Sequence, residues 1–563
     1  MNSTAAKIPF VIVAVLSVFA AVWQSAEYGQ YAPKDAYREN PRFAYYGSEN
    51  PWDRRFFTQE SADKDYKWRG QRQLLEILAG RPQKALEMCQ RRLAEDPNDP
   101  EVFFMVAIAR IQMKQLDEAE NAARQALANG LPFERFLAGP RDLLRPLMQT
   151  PAFQKMATEH TGLIHGPLLG AVTDSGARFW MRTWRETPVT VRVFKDDKKT
   201  TEAVAKTEAG RDYTAVVQIN GLQPATRYRY DVLVGGRSAL QSDLPCFETF
   251  PPRGQSRRFR VAFGGCAGYT PVYERMWNTV LSREPAAFLT LGDNVYMDMP
   301  EMPGPFHDYS YYCRQSRPEF RKLAGSTPIY AIWDDHDCAI DDVWMGPYVD
   351  KPAWKKPTWE LFRRNWNNPG YGDEKWPACW FSFSIADVDF IMLDCRFYRT
   401  NPFQESRTML GPVQKAWLLE RLKQSRATFK FIVSSVPWAS GAKPGAKDTW
   451  DGFPEEREEI FSFLEEHRIE GAILLSADRH RADAWKIDRP SGYPLYDLMN
   501  SRLTNIHTHE LMPGALFGYN EKCSFGLLSF DTTASDPVVT YQIVNIDGEV
   551  VHSLTLKRSE LEF

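Results

Sequence analysis

Six short apolar runs dominate the second half of the chain, and most of them stop on a potential ligand. "FRVAFGG" leads into Cys266, "AAFLTLGD" ends at Asp293, and "PIYAIWDD" delivers Asp334 and Asp335. "VDFIMLD" ends at Asp394, "EGAILLSAD" at Asp478, and "FKFIVSS" at a pair of serines. Near-continuous apolar runs of this length are expected of strands covered on both faces. Helical stretches lie between them, for example "VQKAWLLERLKQS" and "EEREEIFSFLEEH". The pattern predicts a layered α/β domain over 256–563, closed by the strand-rich tail "SFGLLSF…VVTYQIVN…VVHSLTL". Ligand sites in such sheets lie beyond the carboxyl ends of the strands.

Around "WDDHDCAIDD", five carboxylates surround His336 within nine residues. Like charges repel strongly in a poorly solvated cleft. Either most are splayed into solvent or cations hold them. Solvation suits Asp341 and Asp342, which trail the strand, and suits Asp335 and His336 poorly. Asp oxygens favour hard ions, whereas a Cys266 thiolate beside a Tyr296 phenolate favours a ferric ion. A mixed metal site is the expectation.

A chain of 563 residues exceeds one hydrophobic core, so several domains are expected. The net charge of -3 leaves no electrostatic footprint for nucleic acid. Ile8 to Trp23 is an uncharged, apolar run behind Lys7. It reads as a signal peptide or membrane anchor over 1–24, and it implies an extracytoplasmic body, periplasmic or secreted. An extended linker is expected over 25–62. From 63 to 160 the period is helical, with a 34-residue self-similarity that aligns Ala85 with Ala119 and Ile77 with Ile111. This resembles tetratricopeptide repeats, which stack helix pairs and commonly bind a protein partner. "DPNDP" should turn the chain and cap the next helix. Alternation in "GARFWMRT", "VTVRVF" and "TRYRYDVLV" predicts a small antiparallel β-sandwich over 161–255, similar at "LQPATRYRY" to fibronectin type III domains. The eight cysteines form no CxxC and no dense framework, and their compartment permits a disulfide or two.

Taken in order, "GAVTDSGARFWMR", "FGGCA", "LGDNVYMD", "WDDHD", "DTWDGFPEER", "LLSADRH" and "NSRLTN" resemble the PhoD-like alkaline phosphatases of the metallophosphoesterase class. The resemblance implies a metallophosphoesterase-type catalytic domain that hydrolyses phosphodiesters, phosphomonoesters or both through a metal-activated water. It implies Fe3+ and Ca2+, with other divalent ions admissible in the second position. Cys266, Asp293 and Tyr296 would hold the ferric ion, with Asp293 bridging; Asp335, Asp478 and His480 would complete the metal shells. His336 would orient or protonate near the phosphate, Arg479 would neutralise a phosphate oxygen, and Asn294 would contact substrate. The substrate would be a small molecule, a phospholipid or a polymer phosphoester. Two departures stand out. Asp341 occupies a position where relatives commonly carry an Asn ligand, and Ala477 replaces a glycine. Competing readings are a non-catalytic, metal-stabilised scaffold working through its helical repeats, and a strict phosphomonoesterase.

Overall fold

The computed structural model describes residues 70–160, 162–240, 244–300, 304–339 and 341–563. The expected targeting segment and linker, 1–24 and 25–62, lie outside these residues. Among the described residues no helix is long and apolar enough to cross a membrane.

The chain opens with helices Gln71–Leu78, Pro82–Glu95, Pro100–Gln112 and Leu116–Ala128, followed by shorter ones ending at Glu159. Asp99 caps its helix as "DPNDP" predicts, accepting from the backbone N–H of Glu101 and Val102, with Pro100 in the first turn. The repeat-equivalent Ala85 and Ala119 are fully buried where helices cross. Small side chains there let the helix axes approach.

Eight strands follow: β1 (Leu163–Gly170), β2 (Gly176–Thr183), β3 (Pro188–Lys195), β4 (Lys198–Lys206), β5 (Thr214–Asn220), β6 (Arg227–Val234), β7 (Arg237–Ser238) and β8 (Cys246–Glu248). They form two sheets, β1-β2-β5 and β4-β3-β6-β7, with β8 also on β6. The alternating residues of β6 behave as their period requires: Tyr228, Tyr230 and Val232 are buried while Arg227 and Arg229 face water.

The remaining strands are β9 (Arg258–Gly264), β10 (Ala287–Leu291), β11 (Ile329–Ile332), β12 (Phe381–Ile385), β13 (Val388–Met392), β14 (Phe429–Val433), β15 (Ala472–Ser476), β16 (Ala482–Ile487), β17 (Leu495–Asn500), β18 (Phe517–Tyr519), β19 (Ser524–Asp531), β20 (Val538–Asn545) and β21 (Val550–Lys557). They build two mixed sheets, β11-β10-β9-β19-β20-β21 and β12-β13-β14-β15-β17-β16-β18. The six apolar runs thus divide three to a sheet. β9, β10 and β11 are parallel neighbours in one, and β13, β14 and β15 in the other. Phe530 of β19 joins the sheets by packing on Phe390 and Phe431. Helices such as Gly411–Gln424 and Pro454–Glu466 cover the second sheet with buried Leu418, Leu422, Ile460 and Phe461.

Both N-terminal units are welded to this body through buried polar groups. The wholly buried Arg182 guanidinium of β2 donates to Gln315 and Asn365 on two helices of the α/β domain, and pairs with Asp212 at 3.0 Å. In the helical region, Glu101 and Arg135 pair at 2.5 Å, and Tyr309 of the α/β domain donates to the same Glu101 oxygen at 2.6 Å. All eight cysteines are free thiols, so no disulfide adds to these contacts.

Candidate metal centre

Four strand ends converge. β9 supplies Cys266, β10 supplies Asp293, β11 supplies the segment from Asp334 to Asp342, and β15 of the other sheet supplies Asp478 to His480. The approach is close enough to require glycine. Gly292 has φ +103°, and a Cβ there would meet the Asp334 Cβ at 2.5 Å. A Cβ on Gly265 would meet that of Ala477 at 2.8 Å. Ala477, where the resemblance leads one to expect glycine, therefore faces a glycine, and its methyl fits.

The backbone at these ends is strained. Cys266, Asp293, Asp298, Asp478 and His480 all lie in the left-handed region, at φ 57°, 52°, 54°, 73° and 49°. Non-glycine residues adopt it at a cost of order 1–3 kcal/mol each, and such residues gather at functional sites. Here the strain turns donor side chains toward a common point.

Two donor groups result. Cys266, Asp293 and His480 present ligand atoms within 4.8 Å of one another, and so do Asp293, Asp335 and His336. All are buried, and Asp293 belongs to both. The Tyr296 phenol donates to Asp293 Oδ2 at 3.1 Å, and the Cys266 thiol lies 3.4 Å from the same oxygen. The other Asp293 oxygen is buried and accepts no hydrogen bond. Burial, followed by the charges of Asp335, Asp334 and Asp337, pushes the Asp293 carboxyl well above the usual range, despite the opposing pull of His336. Burial and the charge of Asp293 push the Cys266 thiol up likewise. Burial raises Asp334 to about 7, although Arg396 pulls it down through a 2.5 Å ion pair. A cleft that disfavours its own anions in this way, while leaving a carboxylate oxygen unmet, fits a bound cation. The donor set fits too: a thiol and a phenol on one side, carboxylates and imidazole on the other.

The remaining predicted residues are placed as follows. Asp478 lies beside this centre, its backbone carbonyl 3.7 Å from the Cys266 sulfur. Arg479 is half-buried, and its Nε is buried without a hydrogen-bond partner. His336 is gripped on both ring nitrogens, by Asp298 at Nδ1 and by Asp341 at Nε2, the latter at 2.8 Å. Asn294 is bonded within the fold. Its amide nitrogen donates to the Ile332 carbonyl and to Asp337, and its amide oxygen accepts from Thr290. With these groups used inside the fold, Asn294 anchors the loop. Asp341 keeps the exposure expected of it, at 35%, while Asp342, expected in solvent, is mostly buried at 16% and is corrected. Asp341 is tied to His336, and Asp342 pairs with Lys443 at 3.0 Å while its N–H donates to Asp335.

Several contributors were not singled out from the sequence. Asp298 orients His336. Asn505 donates to the Tyr296 hydroxyl at 2.7 Å; the signal for it was present in "NSRLTN". Gln71 of the helical region donates to the Tyr296 carbonyl at 2.8 Å and to Ser310 at 2.7 Å. The repeats therefore buttress the loop that carries the phenol.

Residues 261–517 match the family model for PhoD-like phosphatases, residues 76–135 a tetratricopeptide repeat model, and residues 160–250 a domain of unknown function, DUF7800. Alkaline phosphatase D of Bacillus subtilis (strain 168) is 24% identical over 351 residues, which cover 52% of this chain and 58% of that protein. This chain thus spans somewhat over half the length of that relative. A solved structure of PhoD superposes with a TM-score of 0.60 at 15% identity, covering 71% of this chain and 90% of that one. The purple acid phosphatase PPD1 of yellow lupin (Lupinus luteus) superposes at 0.51 and 13% identity, covering 70% and 75%. These two likenesses show the fold. Residues 261–517, which hold the strand-end donors, thus resemble the PhoD-like phosphatases, and they stand behind a helical region that resembles tetratricopeptide repeats.

Proposed function

We propose that this chain is a metal-dependent phosphoesterase of the alkaline phosphatase D type, cleaving phosphodiesters and phosphomonoesters. The observation that carries the reading is the pair of buried donor groups sharing Asp293. Metal ions held there would supply Lewis-acid charge for the phosphate and lower the pKa of an attacking water. Cys266, Tyr296, Asp293 and His480 suit Fe3+, and the Asp293 and Asp335 carboxylates suit Ca2+ or another hard divalent ion, with Asp478 beside Cys266.

The chain's own residues have separate tasks. Asp293, common to both donor groups, would ligate both ions. Asn505 and the Gln71 contact fix the Tyr296 ring and loop. Asp298 and Asp341 hold the His336 imidazole in one orientation, from which it can manage the proton needed by the departing oxygen. Arg479 pairs with a phosphate oxygen through charge-assisted hydrogen bonds. The apolar run Ile8–Trp23 supports extracytoplasmic action, periplasmic or secreted, with membrane attachment if the segment is retained. Exposed small phosphoesters, phospholipid headgroups or polymer phosphates are the substrates this location favours. The repeats offer a surface for a protein partner. Alternation through Tyr228, Tyr230 and Val232 supports fibronectin type III character in the small β unit.

The test is turnover of a chromogenic phosphodiester and the matching monoester before chelation, after it, and after metal is restored. The proposal expects loss and recovery of activity. Turnover unaffected by complete metal removal would overturn it, and the ratio of the two rates separates a strict monoesterase from the broader enzyme.

A further inference from the structure

Lys443 lies on the loop after β14, and its ammonium reaches carboxylates from three separate loops. It sits 2.6 Å from Asp448, 3.0 Å from Asp342 and 3.6 Å from Asp478. All four side chains are largely buried, with exposures of 13% for Lys443, 3% for Asp448, 16% for Asp342 and 11% for Asp478. Asp478 Oδ2 is buried and accepts no hydrogen bond. Asp342 donates its N–H to Asp335, so this corner adjoins the donor groups described above. Three buried carboxylates around one point require a cation. An ammonium is a compact point charge on a flexible stem, and it suits that place. A calcium ion ligated by the same oxygens at about 2.3–2.6 Å would need the volume that Nζ fills.

We propose that Lys443 is a built-in cation that substitutes for a divalent ion at the Asp342–Asp448–Asp478 corner, positions Asp478, and limits how many metal ions the cleft takes. The inference rests on reading the cleft as a metal centre, and it adds that one cationic position is supplied by the chain.

The experiment is elemental analysis of full-length wild type, Lys443→Met and Lys443→Arg after equilibration with excess CaCl2 and gel filtration. Lys443→Met is expected to hold one more equivalent of calcium per chain than wild type, and Lys443→Arg the wild-type number. Equal calcium in wild type and a folded Lys443→Met overturns the proposal. Should Lys443→Met fail to fold in calcium-free buffer, refolding on CaCl2 but not on NaCl of equal ionic strength supports it, and failure in both overturns it. The same samples report the transition metal. Its complete absence from wild type would defeat the metal-centre reading itself, which equal calcium counts would not.

Discussion

Glu101→Gln tests whether the helical region is a fixed part of the enzyme body. Glu101 and Arg135 have side-chain exposures of 3% and 1%, and the Tyr309 hydroxyl donates to the same carboxylate oxygen from the α/β domain. The substitution leaves the Arg135 guanidinium buried without its counter-charge. Breaking one side of a buried pair costs roughly 3–5 kcal/mol. At about 2 °C per kcal/mol for a large domain, the melting temperature should fall by roughly 6–10 °C. Because Tyr309 and Gln71 tie the repeats to the catalytic body, the loss should appear in one transition, monitored by circular dichroism and by residual activity together. Glu101→Gln combined with Arg135→Met removes both charges and should recover much of the loss. A Glu101→Gln protein with an unchanged melting point, or one whose repeats melt separately while activity persists, would refute the reasoning.

Glu134 gives a pH dependence. Burial alone would raise its carboxyl, but the His160 hydrogen bond and the Arg321 charge carry it down to about 2. The folded value lies below the unfolded one, so the stabilisation is complete above about pH 5 and disappears as pH falls toward 2, a loss of roughly 3 kcal/mol. Urea titrations across that range should show this slope in wild type and lack it in Glu134→Gln. Asn294→Ala should lower stability by about 2–3 kcal/mol through unmet partners at Thr290, Ile332 and Asp337, with KM unchanged; a raised KM at full stability would make Asn294 a substrate contact.

Much of the catalytic domain was legible because its information is local. A strand buried on both faces writes itself as an apolar run, and the residue at its carboxyl end falls next to it in sequence. Cys266, Asp293, Asp335, Asp478 and His480 were found that way. The division of the six runs between two sheets was not legible, since an apolar face says that it is covered and not by what. Asp298, Asn505 and Lys443 act on partners 38, 209 and up to 101 positions away. Even where the local sequence marks such a residue, as "NSRLTN" does Asn505, it does not say which partner the side chain meets. Asp342 looked solvated for the same reason: its cation comes from a distant loop. Gln71 and Glu101 sit on helices whose period marks a buried stripe but does not reveal that a second domain covers it. Asn294 shows the same limit: adjacency to Asp293 does not reveal that its amide also bonds to Ile332 and Asp337.

The central claim is that Asp293 is the shared ligand of a two-metal cleft, and metal content of Asp293→Asn against wild type tests it most directly. Protein purified without added metal, with folding checked by circular dichroism, should lose both metal species together and phosphoesterase turnover with them. A folded Asp293→Asn that keeps the wild-type complement of either metal would contradict the account.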